Sequence, residues 1–158
     1  GELGPEAYAA LIASTTKLNT LGARLPETTG VHAVTDVTGF GLLGHALEMA
    51  RGGGVTLEIE AGALPLIDGV RELAETGRFT GASGRNWASY GQDVRIPDKA
   101  QPWLRDLLTD PQTSGGLLIA VAEGQADTVL DLARREGFSV AAEIGRVTTG
   151  DPLVVVRG

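Results

Sequence analysis

The stretch VHAVTDVTGFGLLGH, residues 31–45, joins a short apolar run to three glycines spaced as in G-x-G-x-x-G. The apolar run predicts a strand near 31–37, and the residues after the glycines predict a helix that ends at the glycines 52–54. Asp36 stands near the carboxyl end of the predicted strand. We therefore expect a strand, a glycine turn and a helix at the centre of the fold.

Three interpretations of this unit are open. A dinucleotide site would place a pyrophosphate at the helix N terminus, with Glu58 or Glu60 on the ribose, about 20 residues further on. Asp36 would repel that pyrophosphate unless a cation stood between them, whereas an acid followed by Thr38 and glycine amides suits Mg²⁺ with phosphate. The third interpretation is structural, with Asp36 capping the turn and the glycines allowing close packing. A P-loop is excluded because no Lys-Ser or Lys-Thr follows the glycines.

The rest of the chain mixes helices and strands without regular alternation. Further helices are predicted at about 5–24, 66–76, 102–108 and 124–136, and further strands at about 55–60, 117–122, 139–148 and 153–157. Residues 78–101 show little periodicity, which predicts an irregular segment that is functional or mobile. The predicted fold class is α+β, with a mixed β-sheet packed with helices in one domain.

Composition narrows the possible functions. A chain of 158 residues suits a single domain, and 20 acidic against 13 basic residues argue against a nucleic-acid partner. No apolar run approaches the ~20 residues of a membrane span and no signal segment is recognisable, which predicts a cytoplasmic protein without a membrane partner. Without cysteine, the chain has no disulfide, thiolate ligand or thiol nucleophile.

Two further motifs carry polar side chains. TDPQTSGG, residues 109–116, presents Asp110, Thr113 and Ser114 before an apolar strand, although Asp-Pro and Gly-Gly are also ordinary turn signals. GRNWASYG, residues 84–91, contains Asn86, a polar group of the type found in substrate loops, while its aromatic residues could simply anchor the loop. The two histidines, His32 and His45, are interpreted as packing or hydrogen-bonding residues because they lack metal-ligand spacing.

In this order and at these spacings, HAVTDVTGFGLLGH, RNWASYG and LTDPQTSGGLL closely resemble the C-terminal half of the selenophosphate synthetase (selenide, water dikinase) family. The resemblance runs from about Ala10 to the C terminus. It implies the fold of the C-terminal domain of the aminoimidazole ribonucleotide synthetase-like ATP-binding superfamily. It also implies an enzyme that uses ATP and Mg²⁺ to turn selenide into selenophosphate, releasing AMP and phosphate.

For individual residues, the resemblance implies one metal ligand, Asp36, which acts in the family with acids of the N-terminal half. It implies no catalytic base or nucleophile in this chain. The residues that it makes candidates for nucleotide, phosphate or domain contacts are Thr38, Gly39, Gly41, Asn86, Asp110, Thr113 and Ser114.

The family's N-terminal half carries a glycine-rich nucleotide segment, a lysine and a cysteine or selenocysteine near the chemistry. These elements are missing here, since the sequence has no cysteine and no plausible catalytic lysine beside the motifs. The expected partner is therefore that N-terminal ATP-binding half, within a homodimeric full-length protein. The domain alone is expected to be inactive. Two alternatives remain open, namely a non-catalytic interaction domain of the same fold and a dinucleotide-binding module.

Overall fold

The computed structural model describes residues 3–158, which form six α-helices and six strands joined by turns and short 3₁₀ segments. The helices are α1 (Pro5–Thr15), α2 (Gly41–Gly53), α3 (Val70–Glu75), α4 (Ala82–Tyr90), α5 (Pro102–Thr109) and α6 (Ala126–Arg135). The strands are β1 (Val31–Asp36), β2 (Thr56–Glu60), β3 (Val94–Arg95), β4 (Leu117–Val121), β5 (Gly145–Thr148) and β6 (Val154–Arg157). Among these residues, no helix is both long and apolar enough to cross a bilayer.

The strands are divided between two sheets. β1 and β4 form a two-stranded antiparallel sheet, in which Asp36 lies opposite Leu117. The second sheet has the order β3-β6-β2-β5, and β6 runs parallel to both of its neighbours while β5 is antiparallel to β2. The predicted α+β class with a mixed sheet is confirmed.

The predicted strand, glycine turn and helix are present as β1, the turn and α2. Gly54, directly after α2, has a φ of 62°, the left-handed conformation that commonly ends helices. The unit is not part of a doubly wound parallel sheet, because β1 pairs with β4 and lies in a different sheet from β2. This topology argues against the dinucleotide-binding module.

The larger hydrophobic cluster includes α2 and one face of the four-stranded sheet. Leu43, Ala46, Leu47 and Ala50 recur at helical spacing along α2 and are essentially inaccessible to solvent. The sheet residues of the same cluster alternate along β2 and β6, as one face of a strand requires; they are Leu57, Ile59, Val154 and Val156. This packing fixes the position of the turn that precedes α2.

A smaller cluster lies against the two-stranded sheet. Its buried members are Leu21, Leu25, Val129 and Ala133. Alternate residues of β4 contact the two clusters, since Ile119 packs against the smaller one and Leu118 against the larger one. The two-stranded sheet therefore joins the two clusters.

Several predicted boundaries differ from the structure. α1 ends at Thr15 rather than near 24, where the hydroxyls of Thr15 and Thr16 bind the Ile12 carbonyl oxygen and the chain continues in short 3₁₀ segments. α3 begins at Val70 instead of 66, and β5 begins at Gly145 instead of 139. Each segment was predicted too long because apolar residues continue beyond the regular element. Leu18, Leu66 and Val140 are examples, and all three are exposed.

The prediction of an irregular segment over 78–101 was wrong. Residues 82–90 form α4, which contacts α5 and α2, and Ser83 and Tyr90 are buried. Ser83 and Tyr90 are seven residues apart and face inward together with Asn86, so the packed face is polar and aromatic rather than aliphatic. A search for aliphatic periodicity does not detect such a helix.

Candidate functional site

The three sequence motifs meet at one place, around the turn between β1 and α2. Nδ2 of Asn86, on α4, donates hydrogen bonds to the carbonyl oxygens of Gly39 and Thr109, both at 2.9 Å. Gly39 belongs to the turn and Thr109 is the last residue of α5, at the start of TDPQTSGG. One side chain therefore holds all three motifs together.

Close backbone packing explains two of the motif glycines. Gly41 has a φ of 68°, and a Cβ atom added there would lie 2.7 Å from the Thr109 carbonyl carbon. A Cβ atom at Gly115 would overlap the Val37 carbonyl oxygen. At these positions any side chain would force the turn away from the 109–116 loop.

Backbone hydrogen bonds continue the connection between the turn and the 109–116 loop. The Val37 N–H donates to the Gly116 carbonyl oxygen at 2.9 Å, and the Gln112 N–H donates to the Thr38 carbonyl oxygen at 2.9 Å. The Gly41 N–H also donates to the Thr38 carbonyl oxygen, at 3.1 Å. The turn is thus held in place by main-chain contacts as well as by Asn86.

The buried Tyr90 side chain contacts the β1–α2 turn and the first turn of α2. Its hydroxyl donates to the Phe40 carbonyl oxygen at 2.6 Å, and its ring lies against Gly44, where a Cβ atom would be 3.0 Å from the ring. Burial raises the pKa of Tyr90 to about 12, so the hydroxyl keeps its proton at neutral pH and remains a donor. The aromatic residues of GRNWASYG were predicted only as possible anchors of the loop, and this contact, between residues 50 positions apart, was missed.

Asp110 uses one carboxylate oxygen to fix the start of α4. Oδ1 accepts hydrogen bonds from the Thr80 N–H at 3.0 Å, the Thr80 hydroxyl at 2.6 Å and the Ser83 hydroxyl at 2.6 Å. The negative charge also lies near a helix N terminus, where the helix dipole favours it. The predicted contact of Asp110 with nucleotide or phosphate remains a prediction.

The exposed rim of the site carries other predicted residues. Asp36, Gly39, Thr113 and Ser114 are exposed, and Phe40 beside them is 53% exposed although it is a large apolar residue. The Ser114 hydroxyl donates to the Thr15 carbonyl oxygen at 3.3 Å, which brings the end of α1 next to the 109–116 loop. The rim is therefore continuous with α1.

The Asp36 carboxylate has no hydrogen-bond or ion-pair partner within residues 3–158. In the same part of the chain, no three acidic, histidine or cysteine side chains cluster closely enough to hold a metal ion. A single carboxylate offers oxygen of the kind that Mg²⁺ prefers, but Mg²⁺ also needs water, phosphate or further acids. A single carboxylate could supply only one ligand of such a site, and the metal role of Asp36 stays a prediction.

Thr38, two residues after Asp36, is half-buried and contacts His45 of α2. Its Oγ1 lies 3.0 Å from His45 Nε2, and His45 Nδ1 lies 3.0 Å from Oε2 of Glu48. The histidine is 7% exposed, and the direction of the Glu48 contact falls outside hydrogen-bond geometry. This arrangement agrees with the interpretation of His45 as a hydrogen-bonding residue, while the role of Glu48 was missed.

A shallow cavity of about 390 Å³ lies beside α4, near Trp87, Arg95 and Arg105. None of the predicted site residues lines this cavity. The Arg105 guanidinium lies over the Trp87 ring and donates hydrogen bonds to the Asp106 carboxylate. These contacts fix the position of Arg105 in the cavity wall. Several of the motif residues instead lie on an exposed surface.

The face of the four-stranded sheet that carries Glu58 is separate from the site. Arg146 and Arg157 both bind the Glu58 carboxylate, and their hydrogen bonds hold its pKa below the ordinary value. Glu58 is thus engaged in ion pairs rather than free to bind a ribose, and no motif residue contacts it. This arrangement argues against the dinucleotide interpretation, in which Glu58 or Glu60 would bind the ribose.

Comparison with known families gives one match that covers nearly the whole chain. Residues 4–158 match the family model described as AIR synthase related protein, C-terminal domain.

Curated relatives are similar over the same range. The chain is 53% identical over 155 residues to selenide, water dikinase of Burkholderia orbicola and 55% identical over 154 residues to that of Burkholderia pseudomallei. It is 50% identical over 154 residues to selenide, water dikinase of Rhizobium meliloti. In all three cases the match covers 98% of this chain but only 44% of the relative. The chain therefore spans less than half the length of these relatives.

Solved structures share the fold at low sequence identity. Escherichia coli HypE matches 92% of this chain with a TM-score of 0.67 and 24% identity, over 37% of its own length. Thiamine-monophosphate kinase from Stenotrophomonas maltophilia matches the whole chain with a TM-score of 0.65 and 24% identity, over 42% of its own length. These likenesses support the fold.

Proposed function

Because the chain belongs to the family described as AIR synthase related protein, C-terminal domain, we propose that it forms the C-terminal domain of an enzyme that makes selenophosphate. That enzyme would use selenide and ATP and release AMP and phosphate. The observation that carries the proposal is the identity of 50–55% to selenide, water dikinases over 98% of the chain. The convergence of the three motifs around one turn supports it further.

Asp36 is the residue proposed to bind Mg²⁺. Support comes from its exposed carboxylate without a partner among the described residues, at a turn that main-chain contacts and Asn86 hold in place. A divalent cation would neutralise charge on the phosphoryl group during transfer. The contribution of Asp36 is to place a negative oxygen at a fixed position beside the exposed backbone of the turn.

The remaining motif residues divide into two groups. Gly39, Thr113 and Ser114 are exposed and are proposed to contact phosphate or nucleotide, with Thr38 beside them. Gly41, Asn86 and Asp110 are proposed to belong to the same site, although their N–H groups or oxygens already bind within the domain. These three residues are proposed to hold the turn and the 109–116 loop in their relative positions.

The rest of the enzyme is proposed to be the N-terminal ATP-binding half, which the relatives have room for because this chain spans 44% of their length. An open site with one acid needs further acids from another surface. Exposed apolar side chains next to the site support such a contact; they are Tyr8, Leu11, Ile12 and Phe40. The full-length protein is proposed to be a cytoplasmic homodimer, and the 158-residue chain alone to be inactive.

The test joins this chain to the part of the Burkholderia pseudomallei relative that it does not span. We expect the joined protein to form AMP from ATP only when selenide is present, and we expect the Asp36→Asn variant to form none. Asparagine keeps the size of the side chain and its capping ability but lacks the charge that Mg²⁺ requires. Thermal unfolding of both proteins is the control for folding.

Two outcomes would overturn the proposal. A folded joined protein without selenide-dependent AMP formation would refute the activity and favour the non-catalytic interaction domain. An Asp36→Asn variant of normal stability and near-normal rate would refute the metal role and leave Asp36 as a turn residue.

A further inference from the structure

Asn19 directly precedes the 3₁₀ segment Thr20–Ala23, a position from which an asparagine side chain commonly caps the first backbone N–H groups. Here the side chain forms no such cap. Its Nδ2 instead donates a hydrogen bond to the carbonyl oxygen of Gly115, 96 positions further along the chain, at 3.1 Å. The Asn19 side chain is therefore used for a long-range contact with the 109–116 loop.

The same part of the loop is bound to the residue that follows β1. A Cβ atom at Gly115 would overlap the Val37 carbonyl oxygen, and the Val37 N–H donates to the Gly116 carbonyl oxygen at 2.9 Å. Residues 115–116 are thus bound both to Asn19 and to Val37, which directly precedes Thr38. The end of the loop and the start of the β1–α2 turn consequently share one set of contacts.

The backbone at Asn19 is itself fixed by the smaller hydrophobic cluster. Leu21, two residues later, is 5% exposed and belongs to that cluster. The Gly22 N–H donates to the Asn19 carbonyl oxygen at 3.0 Å, and an added Cβ atom at Gly22 would lie 3.5 Å from the side chain of Leu117 on β4. Asn19 therefore presents its amide from an anchored segment, as a positioning role requires.

Asn19 and Asn86 hold different parts of the same loop. Asn86 binds the carbonyl oxygen of the first loop residue, whereas Asn19 binds the carbonyl oxygen of Gly115 near the end of the loop. The exposed residues Thr113 and Ser114, which are proposed to contact phosphate or nucleotide, lie between these two points. A side-chain amide thus holds the loop on either side of them.

The Asn19 contact lies at the surface, since Asn19 is exposed. Water can therefore replace the amide when it is removed, and the net contribution of such a hydrogen bond to the stability of the whole domain is small. The consequence of losing it is a less constrained loop rather than an unfolded protein.

We propose that Asn19 is a positioning residue for nucleotide binding, whose amide holds the end of the 109–116 loop where Thr113 and Ser114 can contact ATP. The proposal rests on the proposed function, because it assigns a task to the loop of that site. It adds a residue that lies outside the three sequence motifs, on the segment that follows α1.

The first test measures amide hydrogen exchange in the 158-residue chain. Val37 and Gln112 donate their N–H groups across the contact between the turn and the loop, and the Leu57 N–H in the four-stranded sheet is the reference. Asn19→Ala should accelerate exchange at Val37 and Gln112 by about twofold to tenfold, the range expected for one hydrogen bond, and leave Leu57 unchanged. Unchanged exchange at Val37 and Gln112, or equal acceleration at Leu57, would overturn the proposal.

Thr20→Ala is the matched control for this experiment. Thr20 is the next residue, and its side chain forms no hydrogen bond within residues 3–158. It should leave all three exchange rates unchanged. Equal acceleration by the two variants would also count against the proposal, because the effect would then belong to the segment and not to the Asn19 amide.

The second test uses the joined protein and its selenide-dependent AMP formation. We expect Asn19→Ala to raise the KM for ATP by about fivefold or more while kcat and the urea midpoint stay close to those of the wild type, because a loosened loop weakens ATP binding. Asn19→Gln, which retains an amide donor, should restore much of the affinity, and Thr20→Ala should behave as the wild type. A merely structural role would lower the urea midpoint and leave the KM unchanged.

The outcomes distinguish this inference from the proposed function. If the joined wild type is active and Asn19→Ala has an unchanged KM for ATP, the proposed function stands and the role of Asn19 is refuted. If the joined wild type forms no AMP, the proposed function is refuted together with the assignment of Asn19 to ATP binding. In that case faster exchange in Asn19→Ala still supports the hold of Asn19 on the loop.

Discussion

Helices α1 and α2 are both rich in apolar residues, yet the fold uses them in opposite ways. Seven of the 13 residues of α2 are buried, whereas none of the 11 residues of α1 is buried. In α1, Tyr8 is 58% exposed and Ile12 is 44% exposed. The comparison teaches that apolar spacing predicts a helix but not the surface that covers it.

The difference has a functional meaning because the two helices flank the same site. α2 begins at the turn that carries Asp36 and Thr38, and it is fixed by the larger core. α1 ends beside the 109–116 loop, where Ser114 bonds to Thr15. One helix therefore holds the turn against the larger core, and the other leaves apolar side chains exposed beside the 109–116 loop.

The largest expected effect is the loss of stability on truncating a buried residue of α2. Leu47→Ala in α2 removes a side chain that is 1% exposed, and we expect it to lower the free energy of unfolding by about 2–5 kcal/mol. Leu11→Ala in α1 is the matched control and should change it by no more than about 0.5 kcal/mol. Urea unfolding of the 158-residue chain measures the free energy of unfolding of both variants. Equal losses would contradict the difference in burial between α1 and α2.

The next effect tests how tightly the site itself is packed. Gly115→Ala should lower the free energy of unfolding by about 1–3 kcal/mol, because the added methyl group overlaps the Val37 carbonyl oxygen. The adjacent Gly116 has no atom within 4 Å of an added Cβ, so Gly116→Ala provides the control. Thermal unfolding that ranks the two variants in the opposite order would contradict the described contact of the loops.

A smaller effect tests whether the exposed face of α1 becomes covered in the joined protein. Since the sequence has no cysteine, Ile12→Cys introduces a single thiol into α1. We expect this thiol to react with a maleimide freely in the isolated chain and at least tenfold more slowly in the joined protein, where tenfold corresponds to ~1.4 kcal/mol. The reaction is followed by mass spectrometry of the modified peptide.

The control for that experiment is Val147→Cys on β5, since Val147 is 46% exposed and Ile12 is 44% exposed. Its reaction rate should be the same in both proteins. If both thiols react equally fast in the joined protein, α1 does not bind the other half. If Ile12→Cys is protected in the isolated chain at high concentration, α1 instead binds a second copy.

The smallest effect concerns a region outside both helices. Arg157 and Arg146 lower the pKa of Glu58, so the ionised carboxylate stabilises the folded state above the ordinary value of 4.5. This contribution is lost as the pH falls through the lowered folded-state pKa. Glu58→Gln should therefore be less stable than the wild type at neutral pH, and the difference should vanish in acid.

The measurement is urea unfolding across the acid range, with Glu60→Gln on the same strand as the control for the loss of one negative charge. Glu60 forms no ion pair within residues 3–158. A stability difference between wild type and Glu58→Gln that persists unchanged below the folded-state pKa would contradict the assigned ion pairs.

Much of the fold follows from local sequence. The strand, glycine turn and helix at 31–53, the strand over β2 and the helix over α6 were all predicted, since each has an aliphatic pattern or a glycine boundary. The family resemblance also identified the motifs that meet around the turn. Their contacts were not predictable, because the hydrogen bonds of Asn86 join residues 47 and 23 positions away in the chain.

The sequence by itself determined where the chain turns and which segments are apolar, because these depend on the conformational preferences of neighbouring residues. Only the tertiary structure decided that α4 is a helix, that β1 pairs with β4 and that α1 lies uncovered. It also decided that His45 faces Thr38. These features depend on side chains that are distant in sequence and become neighbours only when the two hydrophobic clusters form.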